Sequence, residues 1–100
     1  MLIRGAKNTA NDKNNGWWKC GDTGMIFQWG FDGRGGSATE KTVTLPFAFK
    51  TACFNVQITP SYVNGSPDAA ILLKAISKTS FTAYRVSESS YNFYWYAIGK

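Results

Sequence analysis

The chain has 100 residues, one domain's worth of sequence. Eleven Lys and Arg against six Asp and Glu give a formal charge of +5, with no His and only two Cys. These counts exclude a Ser-His-Asp or Cys-His nucleophile, an imidazole-held metal, a tetrathiolate zinc site and a dense disulfide framework. Four Trp, five Tyr and seven Phe are too many for a disordered chain.

No segment approaches the roughly 18 apolar residues of a membrane-spanning helix. The residues after Met1-Leu2-Ile3-Arg4 are polar, which leaves no signal-peptide core. The expectation is a soluble protein made in the cytoplasm, without membrane insertion; delivery outside the cell by another route stays open. Residues 1–20 hold Arg4, Lys7, Lys13 and Lys19 against Asp12, and the rest of the chain is close to neutral. A broad basic face, and with it a nucleic-acid partner, is not expected.

In chain order, residues 1–15 are rich in Asn and almost without apolar residues after Ile3, and read as an N-terminal arm or linker. Residues 16–100 read as the domain. Trp17 and Trp18 stand at the boundary, where they seal the sandwich or a neighbouring subunit, or leave one ring free for a ligand. Met25 to Phe31 alternates at period two: Met25, Phe27, Trp29 and Phe31 share one face, and Ile26, Gln28 and Gly30 the other. That placement reads Phe27 and Trp29, like Phe93 and Trp95 later, as core rather than as sugar-stacking platforms. Val43, Leu45 and Phe47 share the inner face of the next run. In the run 52–58, Ala52, Phe54, Val56 and Ile58 are expected inward, and Asn55 and Gln57 outward. Cys53, alternating with Phe54, is then expected on the outer face, and both cysteines are expected free.

Residues 69–76 are apolar on both faces except at Lys74, which predicts a strand covered by a core on one side and a partner on the other. Phe81 and Ala83 mark a further strand. Residues 91–98 place Phe93, Trp95 and Ala97 on one face and Tyr94, Tyr96 and Ile98 on the other. Turn chemistry separates the runs at Asp32-Gly33-Arg34-Gly35-Gly36, at Asn64-Gly65, at Ser77-Lys78-Thr79 and at Ser87 to Ser90. No window has a helical period. The fold class is therefore all-β, a small antiparallel sandwich of about six strands.

Three elements in this order carry a resemblance: Gln28-Trp29-Gly30 shortly after Gly16 to Gly21, Leu45-Pro46-Phe47 with Phe49, and the ending Phe93-Tyr94-Trp95-Tyr96-Ala97-Ile98-Gly99. They resemble the C-terminal knob domain of bacteriophage tail fibre proteins. The ending is also similar to the H-type lectin domain of snail agglutinins and discoidins. The resemblance implies a trimeric sandwich at the distal end of a fibre in the virion, made in the bacterial host and touching a surface carbohydrate such as lipopolysaccharide. Strands apolar on both faces fit that assembly, and the expected subunit contact includes Leu72, Tyr94, Tyr96 and Ile98. Loop chemistry suggests Trp18, Asp32, Arg34, Tyr62, Asn64, Asp68, Tyr91 and Tyr94 for the carbohydrate. No cofactor, metal or catalytic group is expected. A glycosidase pair drawn from Asp22, Asp32, Asp68 and Glu88 is the weakest reading. The alternative to a receptor-binding knob is a purely structural one that caps a trimeric fibre.

Overall fold

Period-two alternation does build strands here, and their hydrogen-bonded partners sort every side chain onto one of two faces. A computed structural model describes residues 7–34, 40–61, 71–85 and 91–100. The elements are β1 (Thr9–Asn11), β2 (Gly16–Lys19), β3 (Ile26–Arg34), β4 (Glu40–Thr44), β5 (Cys53–Pro60), β6 (Ile71–Ile76), β7 (Ser80–Arg85) and β8 (Tyr91–Gly99). There is no helix among the described residues. A five-stranded sheet has the order β1-β2-β3-β8-β5, a three-stranded sheet the order β4-β7-β6, and every pairing is antiparallel. Eight strands thus replace the expected six. The additions are β1 and β2: Thr9-Ala10-Asn11 lacks any apolar alternation, and the paired tryptophans of β2 hide its period.

The sheets face each other across a core of Ile26, Val56, Phe93, Trp95 and Ala97 from one side and Val43, Phe81 and Ala83 from the other. Phe81 meets the edge of Trp95 at 5.1 Å and of Phe93 at 6.4 Å between ring centroids, geometry that the ring quadrupoles favour. Leu45 and Phe49 close the core from the segment after β4.

The core face of β3 is the one that carries Gln28. Ile26, Gln28 and Gly30 are buried, whereas Phe27 and Phe31 are exposed and Trp29 is half-buried. Assigning Phe27 and Trp29 to the core is therefore wrong, although Phe93 and Trp95 do lie there. The reason is a specific polar contact. The Gln28 side-chain oxygen accepts the Phe47 N–H at 2.9 Å, and its amide N–H donates to the Phe47 carbonyl. With both ends of its amide satisfied, a fully buried glutamine is tolerated, and it pins the segment after β4 onto β3. Gly30 is needed beside it: a Cβ there would lie 2.6 Å from the Asn15 side-chain oxygen and 2.7 Å from the Trp95 ring.

A second correction concerns β5. Cys53 pairs with Gly99 and Asn55 with Ile98, so two residues of β5 oppose one of β8. This bulge resets the alternation. Phe54 turns out to solvent, 54% exposed, and Cys53 packs against the core instead of facing outward. Both thiols are free. In β6 a like irregularity falls between Leu73 and Ala75, and Lys74 pairs with Glu40 across the sheet. Within one chain Leu72, Leu73 and Ile76 of this edge strand remain exposed. The Ser77-Lys78-Thr79 turn joins β6 to β7 as expected, with the Ser77 hydroxyl accepting the Thr79 and Ser80 N–H groups. The Asn64-Gly65 and Ser87 to Ser90 turns lie outside the described residues.

Candidate functional site

The outer face of the five-stranded sheet follows from its register. Trp18 pairs with Phe27, which pairs with Ile98. Trp29 pairs with Tyr96, and Tyr96 with Gln57; Phe31 pairs with Tyr94, and Tyr94 with Thr59. Side chains directly opposite in a sheet share a face, so three successive rows present Trp18, Phe27 and Ile98, then Trp29, Tyr96 and Gln57, then Phe31, Tyr94 and Thr59. Tyr94 is 58% exposed and Tyr96 50%. Phe31 and Tyr94 sit 4.6 Å apart between centroids, and Trp18 and Phe27 5.9 Å apart.

The turn between β1 and β2 walls this face. The Lys13 carbonyl accepts the indole N–H of Trp29 at 2.9 Å, and the Asn15 side-chain oxygen accepts the Phe31 N–H at 2.9 Å. Further along, the Asn8 side chain accepts the Gly21 N–H at 3.0 Å. These bonds lay part of the expected arm along the sheet. Between the turn and the tyrosines lies an open groove of about 630 Å³, lined on one side by Lys13 and Asn14 and on the other by Phe31, Tyr94, Gln57 and Thr59. Its floor is aromatic and its rim polar, the composition of a small-molecule site. Among the described residues, Lys13 has no ion-pair partner and the Tyr94 and Tyr96 hydroxyls have no hydrogen-bond partner.

The residues suggested by loop chemistry divide sharply. Tyr94 lies in the groove, and Trp18 lies on the same face two rows away. Asp32 does not join them. It sits on the inner face of β3, receives the Gly33 N–H at 2.7 Å and lies 3.7 Å from the Lys41 ammonium, so it ties the two sheets together. Arg34 and Tyr91 pair through their backbones, and their side chains lie outside what is described. Tyr62, Asn64 and Asp68 also lie outside the described residues. Of the expected subunit-contact residues, Tyr94, Tyr96 and Ile98 share the outer face of the larger sheet, and Leu72, 51% exposed, stands on the outer face of the smaller one.

Sequence reasoning missed Lys13, Asn14, Phe31, Gln57 and Thr59. The signal for Phe31 and Gln57 was present in the alternation, but hydrophobicity assigned β3 to the wrong side. Lys13 and Asn14 sit in a segment read as linker, and only the hydrogen bond to Trp29 reveals their place. Among the described residues no acid pair forms at this face. Asp22 precedes β3 and Asp32 lies near its far end, six steps beyond Ile26; six strand steps span about 20 Å, too far for a glycosidase pair. Asp68 and Glu88 lie outside the described residues. The described residues contain no cluster of three metal-ligating side chains.

Several solved fibre structures share this fold. An N-truncated R2-type pyocin tail fibre is 26% identical with a TM-score of 0.82, over 97% of this chain and 39% of that one. The C-terminal part of the P. aeruginosa R1 pyocin fibre is 31% identical with a TM-score of 0.79, over 96% of this chain and 29% of that one. An N-truncated R1-type pyocin tail fibre is also 31% identical, with a TM-score of 0.80, over 96% of this chain and 88% of that one. The chain thus spans about two-fifths of the first of these fibres. No curated protein matches it. Residues 19–100 match the family of gp53-like tail fibre C-terminal domains. The closing strand that the sequence singled out lies between β3 and β5 in the larger sheet, and the chain belongs to the gp53-like tail fibre C-terminal domain family.

Proposed function

We propose that this tail fibre domain is a non-enzymatic receptor-binding tip, assembled as a homotrimer, that holds a carbohydrate of the bacterial surface such as lipopolysaccharide. The observation that carries the reading is the groove. Phe31 and Tyr94 offer apolar ring faces for the apolar side of a sugar, while Asn14, Gln57 and Thr59 stand within reach of its hydroxyls. Sugar binding through one such site is weak. Three linked copies strengthen it through effective concentration, by about 10²-fold or more.

The trimer is supported by where the uncovered apolar residues lie. Leu72 faces out from the smaller sheet, and Tyr96 and Ile98 face out from the larger one, on the opposite side of the sandwich. A two-fold contact buries one patch against its own copy and leaves the other wet. A head-to-tail ring sets each patch against the other kind and covers both. In that arrangement Ile98 belongs to the subunit contact with Leu72, and Tyr94, which lines the groove with Tyr96, belongs to the ligand.

A structural cap for a trimeric fibre is the second reading, favoured by the exposed run Leu72, Leu73 and Ile76 on β6. A glycan array probed with the full chain separates the two. Selective retention on bacterial surface glycans, lost in Tyr94→Ala, supports the receptor reading. A protein that forms trimers but binds no glycan and no host cell refutes it and leaves the cap.

A further inference from the structure

We infer that the groove selects an acidic saccharide, one bearing a carboxylate or a phosphate, and that Lys13 on the β1–β2 turn is the residue that selects it. This rests on the reading that the groove holds a surface carbohydrate, and it adds the charge of that carbohydrate and the element that reads it. Among the described residues, Lys13 is the only charged side chain along the groove, and no carboxylate lines it. The nearest acids by position in the sheets are committed elsewhere: Asp32 to Lys41 on the inner face, and Glu40 to Lys74 on the smaller sheet. Asp12 adjoins Lys13 in the chain but does not line the groove. Among the described residues, the groove therefore presents one cation over an aromatic floor.

The turn is built to present this cation. Its backbone is held by the Trp29 indole on the Lys13 carbonyl and by the Asn15 side chain on the Phe31 N–H. The structural work at position 13 is done by the main chain, so the ammonium is left for a ligand. A sugar ring against Phe31 and Tyr94 would direct an acidic substituent across the groove to the Lys13 ammonium, where a charge-assisted hydrogen bond forms. The match to the family covers residues 19–100, and Lys13 lies ahead of it.

Binding of the full chain is measured by titration calorimetry against three probes: a hexuronic-acid oligosaccharide, its carboxyl-reduced neutral counterpart, and a phosphorylated hexose oligosaccharide. An exposed ion pair of this kind gives about a two- to fivefold preference for the acidic forms at low salt, narrowing as salt rises. Comparing the uronate with the phosphate identifies which anion is read. Lys13→Gln is expected to abolish the preference, so that acidic and neutral sugars bind alike, while Tyr94→Ala weakens all three. Equal affinity of wild-type protein for acidic and neutral sugars, or a preference that survives Lys13→Gln, overturns the inference while the carbohydrate reading stands. Binding of none of the three, with none on a wider array, overturns the carbohydrate reading and this inference with it.

Discussion

Gln28→Leu probes the contact that decides which way β3 faces. Leucine is close to glutamine in size and more apolar, so simple burial favours it. It cannot, however, accept the Phe47 N–H or donate to the Phe47 carbonyl. Each buried backbone group left without a partner costs about 1–3 kcal/mol, and the lower end suits a contact that is only partly buried. Two such groups cost about 2–3 kcal/mol, offset by about 1 kcal/mol from the added apolar surface. The net loss of about 1–2 kcal/mol lowers the melting temperature of a domain this size by about 4–16 °C. Thermal unfolding followed by circular dichroism, at equal protomer concentration, measures it. Gln28→Glu adds a sign. Protonated, its carboxylic acid can donate to the carbonyl and accept the N–H as glutamine does; ionised, it is buried against a carbonyl oxygen. Burial raises its folded pKa above the unfolded value of about 4.3, so its stability is complete below that value and is lost as pH rises through the folded pKa. A Gln28→Leu protein melting within about 2 °C of wild type, or a Gln28→Glu protein whose stability tracks wild type from pH 3 to 7, would refute this account of the core.

Gly30→Ala places a methyl group against Asn15 and Trp95, and should cost about 1–3 kcal/mol in a denaturant titration. The thiols should separate by pH: hydrogen bonding from the Thr23 hydroxyl lowers the Cys20 pKa, and burial raises that of Cys53. Iodoacetamide at about pH 8 should therefore label Cys20 well before Cys53, as mass spectrometry of the native protein would show; equal rates would contradict the placement. Light scattering should give a mass near three times 11.1 kDa, and Leu72→Arg should shift it toward the single chain; an unchanged mass in that variant removes Leu72 from the subunit contact.

β8 was legible because alternation separates Phe93, Trp95 and Ala97 from Tyr94, Tyr96 and Ile98, and the first set is the buried one. β3 was not, because its two candidate faces differ in hydrophobicity in the wrong sense. Phe27, Trp29 and Phe31 look like core, and only the satisfied hydrogen bonds of Gln28 reverse the choice. At β5 the alternation breaks at Phe54, where a bulge leaves no mark in composition. The groove was least legible of all. It joins a turn near residue 13 to strands ending past residue 94, and its wall is set by a main-chain carbonyl, which every residue possesses. The face that the fold leaves uncovered, rather than any motif, marks the candidate site.

The most direct test of the account is attachment of fluorescent protein to susceptible bacteria, with wild type and Tyr94→Ala compared as trimers of equal mass. Wild type should attach saturably, competed by free surface polysaccharide, and the variant at least about tenfold more weakly, since in a trimer the loss of a stacked aromatic face would be multiplied across three linked sites. Undiminished attachment by Tyr94→Ala, still competed by the polysaccharide, would place the receptor contact elsewhere on the domain.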